Sequence, residues 1–316
     1  MSAPWRNLRW FVAYWISRAG AVLGRYIPAG FWYTLADPIA DVCYVCAPRK
    51  RRLLQANLRR VVGPAEAPRA ARRVFRNFAR YVIDFYQLPS LSKEALCRRM
   101  EFHDWRNLND ALKPGAGGIF VTLHLGQAEL GAGALAAYGH PPYAVAEALN
   151  YKPMDDFIQT LRRDLGMNVI PANKARMGVI RCLSRGETLC MMVDVVRPGD
   201  GVVVDFLGST AEFSSAPARI ALRTGARVMP GVVARAADDR MKLMPCIDFG
   251  LRYETTGDEE ADVRALTQQI ARSLEGFVRR FPDQWFAFRQ VLRESEAQEP
   301  VQRKWKTRRA TGASGL

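Results

Sequence analysis

Of the three histidines in this 316-residue chain, only His124 has an acidic residue, Glu129, five positions further on; His103 and His140 have Leu108 and Val145 there. His124 directly follows the apolar run GIFVTL (118–123) and opens the string HLGQAE. A run of that kind reads as a strand, and open α/β sheets place reactive groups just past a strand's C-terminal end. Along one helix, residues five apart are turned by about 140°, so the two side chains could not share a helix face. With His124 in the turn and Glu129 in the first helical turn, the carboxylate can reach back to one ring nitrogen. The other nitrogen is then left as a base. Transfer of an acyl group from a thioester to an alcohol needs such a base, because a hydroxyl attacks poorly unless its proton is taken as it attacks. A histidine held for structure alone satisfies the same spacing, and the strand-end position sets the chemical reading beside it.

The elements that would position this pair follow from the pattern of apolar residues. Runs at 118–123, 143–148, 167–172, 188–193, 202–206, 227–235 and 241–247 read as strands. Helix candidates lie near 127–138, 153–164, 174–184 and 214–224, with one long helix over 260–281. This alternation predicts an α/β fold, a mixed central sheet flanked by helices, behind an N-terminal basic amphipathic helical region. Three parts are expected: a membrane-interface segment (1–48), a main domain that carries His124 and Glu129 (49–293) and a disordered tail (294–316). The middle part divides into a helical portion, 49–112, and an α/β portion, 113–293.

The formal charge of +15 calls for an anionic partner: nucleic acid, an acidic membrane or a phosphorylated substrate. No nucleic-acid-binding motif accompanies the charge. Residues 5–26, WRNLRWFVAYWISRAGAVLGRY, mix Trp and Phe with spaced Arg, as a helix lying in a membrane interface requires. Arg9, Arg18, Arg25 and Asp37 interrupt the N-terminal apolar stretch, so no run reaches the roughly 20 residues that span a bilayer. No small-residue cleavage site marks a signal peptide. Between 49 and 99 the sequence is helical and basic, with Val74, Phe75, Phe78, Tyr81, Val82 and Phe85 at helical spacing. That single-signed charge favours an anionic surface over a merely solvated face. Cys43 and Cys46 form C-x2-C, but no second pair completes a metal site. With Cys97, Cys182, Cys190 and Cys246 they are expected to be buried free thiols.

The block GIFVTLHLGQAELGAGALAAYG resembles the central block of the lipid A late acyltransferases and the phosphatidylinositol mannoside acyltransferases, a family marked by His-x4-Asp/Glu. The likeness continues through AEAL (Glu147), RRDLG (Arg162) and MMVDVVRPGDGVVVDFLG, where Asp194 ends a strand and Phe206-Leu207-Gly208 is similar to the family's Phe-Phe-Gly. SSAPARIALRTGARVMPGVV, FPDQWFAFRQ and LLQANLRRVVG extend it over roughly residues 50 to 290. The resemblance implies a membrane-associated O-acyltransferase with acyl-CoA or acyl carrier protein as donor and a glycolipid hydroxyl as acceptor. It implies a ternary complex without a covalent acyl-enzyme, no metal and no cofactor, on the cytoplasmic face of a bacterial inner membrane. The mannoside branch is the nearer one. His124 would be the base and Glu129 its orienting partner; Arg162, Glu147, Asp194, Phe206 and Gly208 would contact substrate. Arg162 either grips a phosphate or polar headgroup, or pairs with Glu147 or Asp194; Asp194 either supports the site or caps the following loop. Val195-Val196-Arg197-Pro198 departs from the family's more acidic or Gln-Asp pattern, which puts the shape of the acceptor pocket in doubt. Two rival readings remain open. A lysophospholipid acyltransferase shares His-x4-Asp, but its downstream Glu-Gly motif is missing here. A catalytically silent membrane-binding member of the fold would not need His124 and Glu129.

Overall fold

Apolar residues at helical spacing build the first third of the chain into six helices, α1 (Pro4–Leu23), α2 (Ala29–Cys46), α3 (Pro48–Val62), α4 (Ala67–Gln87), α5 (Lys93–Arg99) and α6 (Trp105–Ala111). The computed structural model describes residues 4–112, 117–196 and 199–293. The expected tail at 294–316 and the departure at Arg197-Pro198 lie outside them. The basic run does not all face outward. Arg72 and Arg76 of α4 hold Asp41 of α2, with their Nε atoms at 2.8 and 2.9 Å, and Arg80 holds Asp37 at 2.7 Å. Hydrogen bonds from Arg72 and then Arg76 keep the Asp41 carboxyl well below the usual carboxylate range. Part of the positive charge therefore fastens α4 to α2, and Lys50, Arg52, Arg59 and Arg60 stand exposed.

The α/β portion runs β1 (Gly118–Thr122), α7 (Ala128–Ala137), β2 (Tyr143–Ala146), α8 (Lys152–Asp164), β3 (Asn168–Pro171), α9 (Ala175–Ser184) and β4 (Thr188–Met192). It continues with β5 (Gly201–Phe206), β6 (Ser209–Ser214), α10 (Ala216–Thr224), β7 (Arg227–Arg235), β8 (Leu243–Ile247), α11 (Glu259–Arg280) and β9 (Leu292–Arg293). Six strands form the central sheet in the order β3-β2-β4-β1-β7-β8, parallel except where β8 runs against β7. The chain steps from β1 to one edge of the sheet and returns past β1 to β7. Right-handed crossovers then put α7 and α8 on one face, α9 and α10 on the other. Burial agrees: Ile119, Val121 and Leu123 join the core with Val179, Ala218 and Leu266, while Phe120 packs with Leu108 and Leu135. The long helix α11 is set by its ends. The Asp258 side chain accepts from the Ala261 N–H at 3.0 Å, acidic residues fill the first turn, and Arg279 and Arg280 close the last.

The structure departs from the sequence reading in its second sheet and in its thiols. Strands β6 and β9 have no counterpart in that reading, and with β5 they form a separate antiparallel sheet, β5-β6-β9. Strand β6 pairs with β5 through a two-residue turn in which Leu207 and Gly208 both have positive φ, 57° and 69°. Such hairpins usually announce themselves with Asn-Gly or Asp-Gly, and a leucine in the left-handed region gives no such signal. Here the Leu207 N–H donates to Glu275 of α11 at 2.7 Å, which holds the strained residue in place. The thiols also differ: Cys182 is buried, but Cys43 and Cys46 are exposed on α2.

Candidate active site

Parallel neighbours β1 and β4 are in register from Gly118 with Thr188 to Thr122 with Met192. Two residues beyond each strand lie His124 and Asp194, so the register alone brings them together. The His124 ring Nδ1 is 2.8 Å from Asp194 Oδ1, and the His124 backbone N–H also donates to Asp194 Oδ2 at 3.3 Å. Asp194 is 2% exposed at its side chain and the imidazole 42%, so the carboxylate sits beneath and the ring reaches out. Burial opposes the charged imidazolium, but the hydrogen bond and charge of Asp194 outweigh it, and the pKa of His124 rises above the ordinary 6.5. Burial likewise pushes against the Asp194 carboxylate, while His124 and then Arg289 draw its pKa below the ordinary value.

The turn that carries His124 is gripped from both sides. Gly126 has φ 68°, and a Cβ there would lie 2.0 Å from the carbonyl oxygen of Val233, so no other residue fits. Its N–H donates to Gln284 at 3.0 Å, the Gln127 N–H to Val233 at 2.7 Å, and the Phe286 N–H to the His124 carbonyl at 2.8 Å. Deeper still, Gln127 Nε2 donates to Asp84 at 2.8 Å. Asp84 also accepts from Arg99 at 2.9 Å and, in very short contacts, from Tyr33 and Arg235.

Glu129 does sit in the first turn of α7, yet its carboxylate points elsewhere. It accepts from Arg162 Nη2 at 2.9 Å and from the Tyr81 hydroxyl at 3.2 Å. In place of the expected His124–Glu129 hydrogen bond the ring meets Asp194, which the strand register sets beside it. Arg162 pairs with Glu129, not with Glu147 or Asp194. All four of His124, Glu129, Arg162 and Glu147 line one cavity of about 870 Å³. Phe206 and Gly208 do not. Phe206 is 1% exposed and packs against Phe213 and Trp285 at 4.9 and 6.1 Å, and Gly208 closes the β5–β6 hairpin, away from that cavity lining. Two further residues complete the site: Arg289, 3.2 Å from Asp194 Oδ2, and Tyr81 on Glu129. Nothing in their local sequence marks these partners.

The cavity is mostly apolar. Trp105, Phe102, Tyr138 and Phe120 wall it on the α6–α7 side, with Trp105 and Tyr138 in edge contact at 4.3 Å. It suits a long hydrocarbon chain ending near an imidazole. Among its lining residues the one cysteine is Cys190, whose thiol burial pushes up to about 12, which makes it a poor nucleophile. Among the described residues no group of His, Cys, Asp and Glu could hold a metal ion.

The site is thus a carboxylate-paired histidine at the strand ends of an α/β sheet, lining an apolar cavity. The chain belongs to the bacterial lipid A biosynthesis acyltransferase family, whose model matches residues 3–294. It is 27% identical over 241 residues to a phosphatidylinositol mannoside acyltransferase of Mycolicibacterium smegmatis, covering 73% of this chain and 76% of the relative. A phosphatidylinositol mannoside acyltransferase of Mycobacterium tuberculosis is 26% identical over 232 residues, 70% of this chain and 72% of the relative.

Proposed function

We propose that this acyltransferase moves a fatty acyl group from a thioester, acyl-CoA or acyl carrier protein, to a hydroxyl of a glycolipid, with His124 as general base. The observation that carries the reading is the His124–Asp194 contact of 2.8 Å, which occupies Nδ1 and leaves Nε2 as the free nitrogen beside the apolar cavity. Nε2 takes the proton of the acceptor hydroxyl as its oxygen attacks the thioester carbonyl carbon. The tetrahedral intermediate then collapses, the carbon–sulfur bond breaks, and the leaving thiolate recovers that proton from the imidazolium. Asp194 holds the ring and stabilises its charged form. Glu129 anchors Arg162 at the cavity wall, where the guanidinium could meet an oxyanion of either substrate. The names of the relatives support a glycosylated phospholipid as acceptor. Purified protein given palmitoyl-CoA or palmitoyl carrier protein with phosphatidylinositol mannoside should yield the O-acylated lipid by mass spectrometry. Intact thioester and unmodified glycolipid with both donors would overturn the reading.

The protein works, in this reading, at an anionic membrane surface, the cytoplasmic face of the bacterial inner membrane. No described helix is long and apolar enough to cross a membrane. Instead α1 exposes Leu8, Phe11, Val12, Trp15 and Ile16, and α2 exposes Phe31, Leu35, Ile39, Val42 and Val45. Both sets recur at helical spacing, and α2 buries Tyr33, Ala36 and Ala40 on its other face. Two apolar stripes left in water are costly, and a lipid interface removes the cost. Ile39→Asp with Val42→Asp should therefore abolish co-sedimentation with acidic vesicles while the protein stays folded. Wild-type binding should weaken as salt rises, since exposed cations such as Arg59 and Arg60 add an electrostatic share. Undiminished binding of the double variant would remove α2 from the membrane contact.

A further inference from the structure

His124 faces an apolar cavity on one side, and a second surface begins at its own backbone. Along α4, Phe78 has Phe75 and Tyr81 as its neighbours at three-residue spacing on either side. The segment that follows α11 lays two more rings against them. Phe286 is 5.3 Å from Phe78 and 5.6 Å from Tyr81, and Phe288 is 5.1 Å from Phe78, centroid to centroid. The inner edge is tied to the site: the Phe286 N–H holds the His124 carbonyl at 2.8 Å, and the Tyr81 hydroxyl holds Glu129. At the outer edge the ammonium of Lys50, an exposed residue, lies 6.0 Å from the Phe288 ring. None of Phe78, Tyr81, Phe286 and Phe288 lines the apolar cavity. Phe78 is 38% exposed, and the Phe286 and Phe288 rings are also only partly covered.

A seam that served only to fasten α4 to the C-terminal segment would be met by buried aliphatic side chains. Partly exposed rings running from a general base to a cation suit a different task. One face of a pyranose presents a set of C–H bonds, weakly positive at hydrogen, and the negative face of an aromatic ring attracts them. The hydroxyls of the sugar stay free at its edges, where one can meet His124. An ammonium is a compact partner for a phosphate oxygen. We propose that Phe78, Phe286 and Phe288 bind the carbohydrate part of the acceptor by stacking, with Lys50 on its phosphate. The acyl chain of the donor occupies the cavity on the other side of His124. The inference rests on the glycolipid reading above and assigns that acceptor a place.

Steady-state kinetics of the full chain with three acceptors test it: phosphatidylinositol mannoside, a water-soluble alkyl mannoside without phosphate, and a lysophospholipid with phosphate but no sugar. Phe78→Ala and Phe78→Leu should both raise KM for the two sugar acceptors, by about 2- to 10-fold if one stacking contact is lost. The KM of the thioester should not change. Leucine restores apolar bulk but not the ring face, so its failure to rescue separates stacking from packing. Lys50→Gln should raise KM for the phosphorylated glycolipid and leave the alkyl mannoside unaffected. Sugar-acceptor KM values that stay at the wild-type level in both Phe78 variants overturn the inference, with the glycolipid reading intact. Weaker vesicle binding with an unchanged KM for the alkyl mannoside overturns it too, and makes the surface a membrane contact. A wild-type protein that acylates no sugar-bearing acceptor removes the glycolipid reading itself and this inference with it.

Discussion

With His124 as the proposed general base, His124→Ala should lower kcat for acyl transfer by about 10²- to 10⁴-fold and leave the melting temperature close to that of the wild type. The two halves of this expectation have separate grounds. The rate depends on Nε2, because a neutral hydroxyl attacks a thioester carbonyl only as its proton is removed. Stability depends little on the ring, which is 42% exposed at its side chain. Asp194 keeps Arg289 at 3.2 Å and the His124 backbone N–H at 3.3 Å after the ring is gone. Substrate KM values should move little, since the imidazole acts mainly in the transition state. A folded His124→Ala protein with more than a few per cent of wild-type kcat would refute a histidine base.

Asp84→Asn should be among the most destabilising single changes in the chain, at about 3–5 kcal/mol, read from chemical denaturation. The Asp84 side chain is 0% exposed, and those of Arg99 and Arg235 are 8% and 4% exposed. Both cations rely on this carboxylate, and an amide of the same size leaves them buried without a counter-charge. A natural domain has only about 5–15 kcal/mol in total, so partial unfolding near growth temperature follows. Any protein that remains folded should also be slower, because Asp84 holds Gln127 in the turn between His124 and Glu129. A loss below about 1 kcal/mol would mean that the network is not a stability hub.

Much of this architecture is legible in the residues. GIFVT, TLCMM and RVMPGVVAR are apolar runs bounded by turns, and each is a strand within a residue or so of its expected limits. The helices at 128–137, 152–164, 175–184 and 259–280 follow from spacing in the same way. Pairings at long range are another matter. His124 and Asp194 are 70 positions apart, and they meet because β1 and β4 are adjacent, parallel and in register. Strand adjacency is not written in either strand. Local spacing therefore pointed to Glu129, five residues away, although its carboxylate turns to Arg162 and Tyr81. The equal offsets, with each residue two places past its strand, are a signal only once those strands are known to be neighbours. Phe206 and Gly208 show the same limit: Phe-x-Gly marks a tight turn, and only the β5–β6 pairing shows which strands that turn joins.

If Asp194, not Glu129, orients His124 and raises its pKa, the pH dependence of kcat/KM will follow Asp194. The base must be neutral to act, so activity rises with pH through the His124 pKa. Asp194 holds that pKa above the ordinary 6.5, with Glu129 making a smaller contribution of the same sign. The acidic limb of the wild-type profile should therefore lie above pH 6.5. Asp194→Asn should move the limb to lower pH and depress the plateau. Glu129→Gln should leave the limb near its wild-type position and reduce activity through the freed Arg162. A limb that stays in place in Asp194→Asn and shifts down in Glu129→Gln would return the orienting role to Glu129.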